Sequence, residues 1–78
     1  MTKQEIQALI SANLDCTHIE VEGDDGQHFD AVIVSPKFEG VSMLNQHKMI
    51  YAILGDKIKN NEVHALSLKT YSPAQWAK

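Results

Sequence analysis

Histidine is the residue type in this chain best suited to chemistry, and two of the four histidines stand where a strand is predicted to begin. His28 follows a turn rich in glycine and aspartate, and His64 opens a run of alternating apolar residues. Imidazole is a common ligand of transition metals, so two such rings at one end of a sheet would form a metal half-site. Two imidazoles alone are too few ligands to hold a metal firmly, so ligands from a partner would complete the site. By position alone, each histidine is more typical of an exposed or capping residue than of a ligand.

The other reactive residue types favour structural roles. His47 falls in the apolar stripe of a predicted helix, where a buried and hydrogen-bonded histidine is expected. The other residues of this stripe are Leu44, Ile50, Tyr51, Leu54 and Ile58. His18 is predicted on the solvent face of the first strand, and Cys16, just before it, as a small packing residue. Asp24 and Asp25 resemble an acid pair, but turn chemistry accounts for both. The sequence pairs no nucleophile with a base, and it therefore does not favour an enzyme.

Size and charge narrow the function classes further. A chain of 78 residues forms one domain, residues 1–78, with little room for an enclosing cleft. Seven basic and ten acidic residues give a net charge of −3, whereas nucleic-acid binders usually carry a basic excess. The single cysteine forms no internal disulfide. No apolar signal core or membrane-length run appears, which predicts a cytoplasmic protein in a reducing compartment.

The elements that must position the two histidines can be predicted from periodicity and turn chemistry. Thr2 and Glu5 fit a capping box, and Gly55 is placed to divide the long helix into two. The predicted order is α-β-β-α-(α)-β-α, an α+β fold with a small three-stranded mixed sheet covered by helices. Its predicted elements are a helix over 3–14, strands over 18–22 and 28–35, a helix over 42–58, a strand over 63–70 and a short helical turn over 72–76.

Topology brings the two strand starts together. The first two strands are joined by an Asp-Gly turn, so they form an antiparallel hairpin. The second and third strands are joined through the long helix, so they run parallel. Parallel strands begin at the same end of a sheet. We therefore expect His28 and His64 to lie within about 5–10 Å of each other.

Two blocks of sequence carry a family resemblance: Phe38–Tyr51 (FEGVSMLNQHKMIY) and Val63–Trp76 (VHALSLKTYSPAQW). They resemble the BolA family, whose fold has the predicted element order and is related to type II KH domains. The short, acidic form with a histidine before Phe29 is most similar to the branch called IbaG or YrbA. The resemblance runs almost end to end.

The resemblance implies a partnership with a monothiol glutaredoxin around a shared [2Fe–2S] cluster, in iron–sulfur assembly, trafficking or iron regulation. In such a complex the glutaredoxin contributes its cysteine and a bound glutathione. The BolA protein contributes the histidine matched by His64 and a second, loop ligand matched by His28. The surface near residues 38–48 is expected to support association without the cluster.

The KH-like architecture leaves a nucleic-acid-binding transcriptional regulator as the alternative. Two sequence features weigh against it. The segment Gly40-Val41-Ser42-Met43 lacks the second glycine of a KH Gly-x-x-Gly loop. The segment Gln46-His47-Lys48 lacks the two arginines that family members often carry around this histidine.

Overall fold

The computed structural model of the protein describes residues 1–23, 25, 28–55, 57 and 65–77. These residues form an α+β fold, as the sequence predicts. We number the helices and strands in chain order. They are α1 (Lys3–Asn13), β1 (His18–Glu22), β2 (His28–Val34), a 3₁₀ turn (Pro36–Phe38), α2 (Met43–Leu54), β3 (Ala65–Tyr71) and α3 (Pro73–Trp76).

The helices begin where side chains can satisfy their first backbone donors. At α1 the Glu5 backbone N–H donates to the Thr2 hydroxyl at 3.1 Å, and the Thr2 N–H donates to the Glu5 carboxylate at 3.0 Å. Donation to the Glu5 carboxylate from the Thr2 backbone N–H, and next from the Thr2 side chain, lowers the pKa of Glu5. Ser72 and Gln75 form a second capping box at α3. Gly55 ends α2 with a φ of 45°. The predicted continuation of this helix to Ile58 lies, apart from residue 57, outside the described residues.

The sheet has the strand order β1-β2-β3 and the predicted mixed topology. β1 runs antiparallel to β2, with His18 opposite Val34. β3 runs parallel to β2, with Ala65 opposite His28 and Tyr71 opposite Val34. Central strand β2 therefore begins at the same end of the sheet as β3, which confirms the topological part of the histidine argument.

Helices α1 and α2 cover one face of the sheet and form the core with it. Phe38, from the 3₁₀ turn, is 1% exposed and closes this core. On the opposite face, α3 covers only one end, where Trp76 stacks on His18 at 5.1 Å. The prediction that His18 is solvent-exposed is therefore only partly right. The buried apolar residues that pack together are Ile6, Ile10, Leu14, Val21, Phe29, Ala31, Ile33, Phe38, Ile50 and Leu54.

Helix α2 turns a different face to the core from the one the sequence predicts. The buried residues are Gln46, Ile50 and Leu54. Leu44 and Tyr51, both predicted in the buried stripe, are 66% and 43% exposed. Ile50 and Leu54 belong to both stripes, so helical periodicity alone could not choose between them.

A polar residue in the core explains the difference. The Gln46 amide nitrogen donates to the Val41 carbonyl at 2.8 Å and to the Phe38 carbonyl at 3.4 Å. These bonds offset the cost of burying the amide nitrogen, while the amide oxygen is buried without a hydrogen-bond partner in the described part of the chain. His47 is consequently half-buried, and its Nε2 has no hydrogen-bond partner within the described part of the chain. The prediction of a hydrogen-bonded histidine there is wrong for this atom.

Candidate metal half-site at the start of β2

His28 is the first residue of the central strand, and its backbone position is fixed by pairing with β3. Its Cα partner is Ala65, the first residue of β3. Ala65 directly follows His64 in the chain. His64 itself lies outside the described residues, so the structure describes one of the two predicted ligands. His28 is available to an outside molecule because 59% of its side-chain surface is exposed.

Asp25, in the turn before β2, holds His28 through two contacts. Its Oδ1 accepts a hydrogen bond from the His28 backbone N–H at 2.8 Å. Its Oδ2 lies 2.7 Å from Nδ1 of the His28 ring. The backbone contact is the turn chemistry that the sequence predicts for this aspartate. The ring contact was not predicted, although an acid three residues before a histidine in a glycine-containing turn is a usable sequence signal.

Gly23 lets the chain that follows β1 lie directly against the start of β2. A Cβ atom at Gly23 would lie 2.6 Å from the His28 carbonyl oxygen and 2.6 Å from Cδ1 of Phe29. Phe29 is only 2% exposed and belongs to the core, so its ring cannot move away cheaply. Because Gly23 has no side chain, the Phe29 ring can pack in the core while His28 keeps its position at the start of β2. Asp24, Gly26 and Gln27 of this turn lie outside the described residues.

Among the described residues at this end, His28 supplies a single imidazole, so a metal bound there would need further ligands from elsewhere. A neutral imidazole offers one lone pair, and imidazole is a ligand for iron as well as for zinc and copper. His28 meets the first condition for such a role because it is exposed and hydrogen-bonded to a carboxylate. Among residues 1–23, 25, 28–55, 57 and 65–77, no group of three or more histidine, cysteine, aspartate or glutamate side chains is arranged to hold a metal ion.

Cys16 lies at the other end of the sheet. The neighbouring Thr17 N–H donates to the Val34 carbonyl at 2.9 Å, six residues along β2 from His28. At about 3.4 Å per residue this separation is about 20 Å. The Cys16 thiol packs against the core and donates to the Leu14 carbonyl at 3.4 Å. Burial raises the pKa of this thiol, which agrees with the predicted packing role.

The uncovered sheet face has an acidic character. Glu20, Glu22 and Asp30 lie on this face and are exposed, with Lys69 as a neighbouring cation. Glu22 also lies 3.6 Å from the Lys3 ammonium. This charge pattern repels a phosphate backbone from this face of the sheet.

The aromatic end of the same face is a packing cluster. His18 stacks on Trp76, and Tyr71 lies 5.4 Å from the Trp76 ring. The His18 Nε2 approaches Glu20 Oε1 to 3.1 Å without the geometry of a hydrogen bond. Val34, the strand partner of both His18 and Tyr71, is fully buried, and the stack joins α3 to β1, so His18 has a structural explanation.

Comparison with known proteins places these features in a family. The family profile described as BolA-like protein matches residues 4–75. The acid stress protein IbaG of Escherichia coli strain K12 is 36% identical over all of this chain and 92% of its own length. A BolA protein homologue from Coxiella burnetii has a solved structure with a TM-score of 0.81 and 36% identity, covering 100% of this chain and 99% of that one. The Escherichia coli DNA-binding transcriptional regulator BolA is 45% identical over 49 residues, which are 63% of this chain and 46% of that protein. No helix in the described part of this chain could cross a membrane.

Proposed function

The chain belongs to the BolA family, and from that premise we propose that it is the partner of a monothiol glutaredoxin with which it shares a [2Fe–2S] cluster. Its role is in the assembly or trafficking of iron–sulfur clusters or in iron regulation, as a binding protein of the cytoplasm rather than an enzyme. The observation that carries the proposal is the position of His28, exposed at the start of β2 beside Ala65.

Chain connectivity supports a two-histidine ligand set. Neighbouring strands lie about 4.8 Å apart, and consecutive Cα atoms are about 3.8 Å apart. Ala65, the residue that follows His64 in the sequence, lies opposite His28 across this strand spacing, and this pairing supports the proposal that both histidines bind one cluster. In this proposal His64 is the principal ligand and His28 the second.

The two proteins divide the ligands by type. The glutaredoxin cysteine and its bound glutathione supply thiolates, and this chain supplies imidazoles. Exposure of His28 permits this division, because its ring is reachable from a partner surface. Met43 and Leu44, which are 67% and 66% exposed, add apolar surface at the start of α2 for association without a cluster. Imidazole ligands in place of thiolates raise the reduction potential of a cluster.

The test is anaerobic co-purification of the chain with a monothiol glutaredoxin and glutathione, followed by visible absorption and circular dichroism. We expect a heterodimer whose spectrum differs from that of the glutaredoxin homodimer. The His64→Ala variant should remain folded by far-ultraviolet circular dichroism and lose the heterodimer spectrum. The matched control is His18→Ala, which removes a histidine from the opposite end of the sheet and should retain the spectrum. A colourless mixture without association, or a wild-type spectrum from His64→Ala, contradicts the proposal.

One observation favours a second candidate function. A relative with detectable identity is named as a DNA-binding transcriptional regulator. A regulatory role through nucleic acid therefore stands as the alternative. The net charge of −3 and the acidic open face of the sheet count against it.

A further inference from the structure

We propose that Asp25 is a positioning residue that fixes the tautomer of His28, so that Nε2 is the nitrogen presented to metal. The inference deepens the proposed function and rests on it for the identity of the metal group. It concerns a residue whose carboxylate contacts the ring nitrogen of His28 and its backbone at once.

The two contacts use different oxygens of one carboxylate. Oδ1 accepts from the His28 backbone N–H, which fixes the carboxylate relative to the start of β2. Oδ2 is then directed at Nδ1 at 2.7 Å. An ionised carboxylate can only accept hydrogen bonds, so Nδ1 must carry the proton. In a neutral ring the lone pair then resides on Nε2, which is the nitrogen able to bind a metal.

This arrangement is the one that orients metal-binding histidines in general. Such histidines usually donate their other ring N–H to a carboxylate, carbonyl or water, which fixes the ring and strengthens it as a ligand. The energetic role of the pair in folding is small, because the His28 and Asp25 side chains are 59% and 56% exposed. The contact therefore contributes little to the stability of the fold, and its role in this proposal is to orient His28 as a ligand.

The variant Asp25→Asn isolates the tautomer from the turn. The asparagine carbonyl oxygen can still accept from the His28 backbone N–H, which keeps the turn. Its amide NH₂ then faces Nδ1 and can only donate, so the ring proton must move to Nε2. Asp30→Asn is the matched control, because it removes the same charge from an exposed residue of β2, the strand that carries His28.

The first readout uses the cluster-free protein. A long-range ¹H–¹⁵N correlation spectrum of the neutral His28 ring distinguishes a protonated nitrogen from one with a lone pair. In the wild type and in Asp30→Asn we expect the proton on Nδ1. In Asp25→Asn we expect it on Nε2. An unchanged tautomer in Asp25→Asn overturns the inference.

The second readout uses the heterodimer with glutaredoxin and glutathione. Asp25→Asn should alter the visible circular dichroism, shorten the cluster lifetime and weaken cluster binding by roughly ten- to a hundredfold, the usual loss of metal affinity when such a partner is removed. Asp30→Asn should match the wild type. A cluster that depends on His64 but is indifferent to Asp25→Asn overturns this inference and leaves the proposed function standing. A wild-type protein that forms no cluster complex overturns the proposed function, and the ligand role of His28 with it.

Discussion

At the scale of single residues, His28 and Cys16 differ in the properties that decide whether a side chain can bind metal. His28 is exposed at the start of β2 and is held by a carboxylate. Cys16 is partly buried, and the raised pKa of its thiol disfavours the thiolate that a metal requires. The only cysteine of the chain is therefore the poorer ligand, although sulfur is the commoner partner of iron clusters.

This contrast predicts opposite outcomes for two small substitutions. His28→Ala should loosen the cluster or change its spectrum without preventing association with cluster-free glutaredoxin. Its cost in the free energy of unfolding should stay within about 0.5 kcal/mol, because the side chain is exposed. Cys16→Ser, the control, should leave the spectrum and the cluster lifetime unchanged. Visible circular dichroism and the decay of absorption in air measure both variants. An unaltered lifetime in His28→Ala would make this histidine a bystander.

At the scale of elements, the β1–β2 turn couples core packing to the position of His28. Gly23→Ala would force a methyl group against the His28 carbonyl and the Phe29 ring. We expect a loss of about 1–3 kcal/mol in the free energy of unfolding, the usual cost of overpacking. Chemical denaturation measures this loss. Amide chemical shifts should change at His28 and Phe29, because the start of β2 must move.

Gly40 supplies the matched control for this substitution. It has a φ of 72°, and a Cβ there would meet nothing within 4 Å. Asparagine tolerates this left-handed backbone, so Gly40→Asn should cost little stability and leave the shifts of His28 unchanged. A Gly23→Ala protein that is as stable as the wild type and has native chemical shifts at His28 would contradict this prediction, because it would show that the start of β2 accommodates the methyl group without moving.

Local chemistry made most of these elements predictable, while contacts distant in sequence did not. Thr2 with Glu5 and Ser72 with Pro73 mark helix starts in four or fewer residues, and both helices begin there. The buried face of α2 was predicted wrongly because the Gln46 amide nitrogen donates to carbonyls of a preceding loop, which no periodicity reveals. The contact of Asp25 with the His28 ring likewise exists only once the turn has closed.

At the scale of the whole molecule, the mixed sheet sorts the reactive residue types by position. The parallel pairing of β2 and β3 places His28 opposite Ala65, the residue that follows His64 in the sequence. The antiparallel pairing of β1 and β2 places Cys16 and the His18–Trp76 stack at the opposite end. Between the two ends lies an open surface whose exposed charges are mainly acidic. A glutaredoxin that docks at the His28 end would leave this surface exposed.

The acidic surface separates the two candidate functions, because only the transcriptional regulator has to bind nucleic acid. A protein of net charge −3 whose open sheet face carries Glu20, Glu22 and Asp30 releases few counterions from a phosphate backbone. Ser42, at the position of the second half of a KH loop, instead caps α2 by accepting from the Asn45 N–H at 3.3 Å. We therefore expect no saturable change in the fluorescence anisotropy of labelled duplex DNA or single-stranded RNA, even at about 50 mM salt, where electrostatic binding is strong. Saturable binding whose affinity falls linearly with salt on a logarithmic scale would instead identify a basic contact surface and favour the regulator. Repeating the titration with the glutaredoxin heterodimer tests whether complex formation creates such a surface, which the charge of this chain alone does not provide.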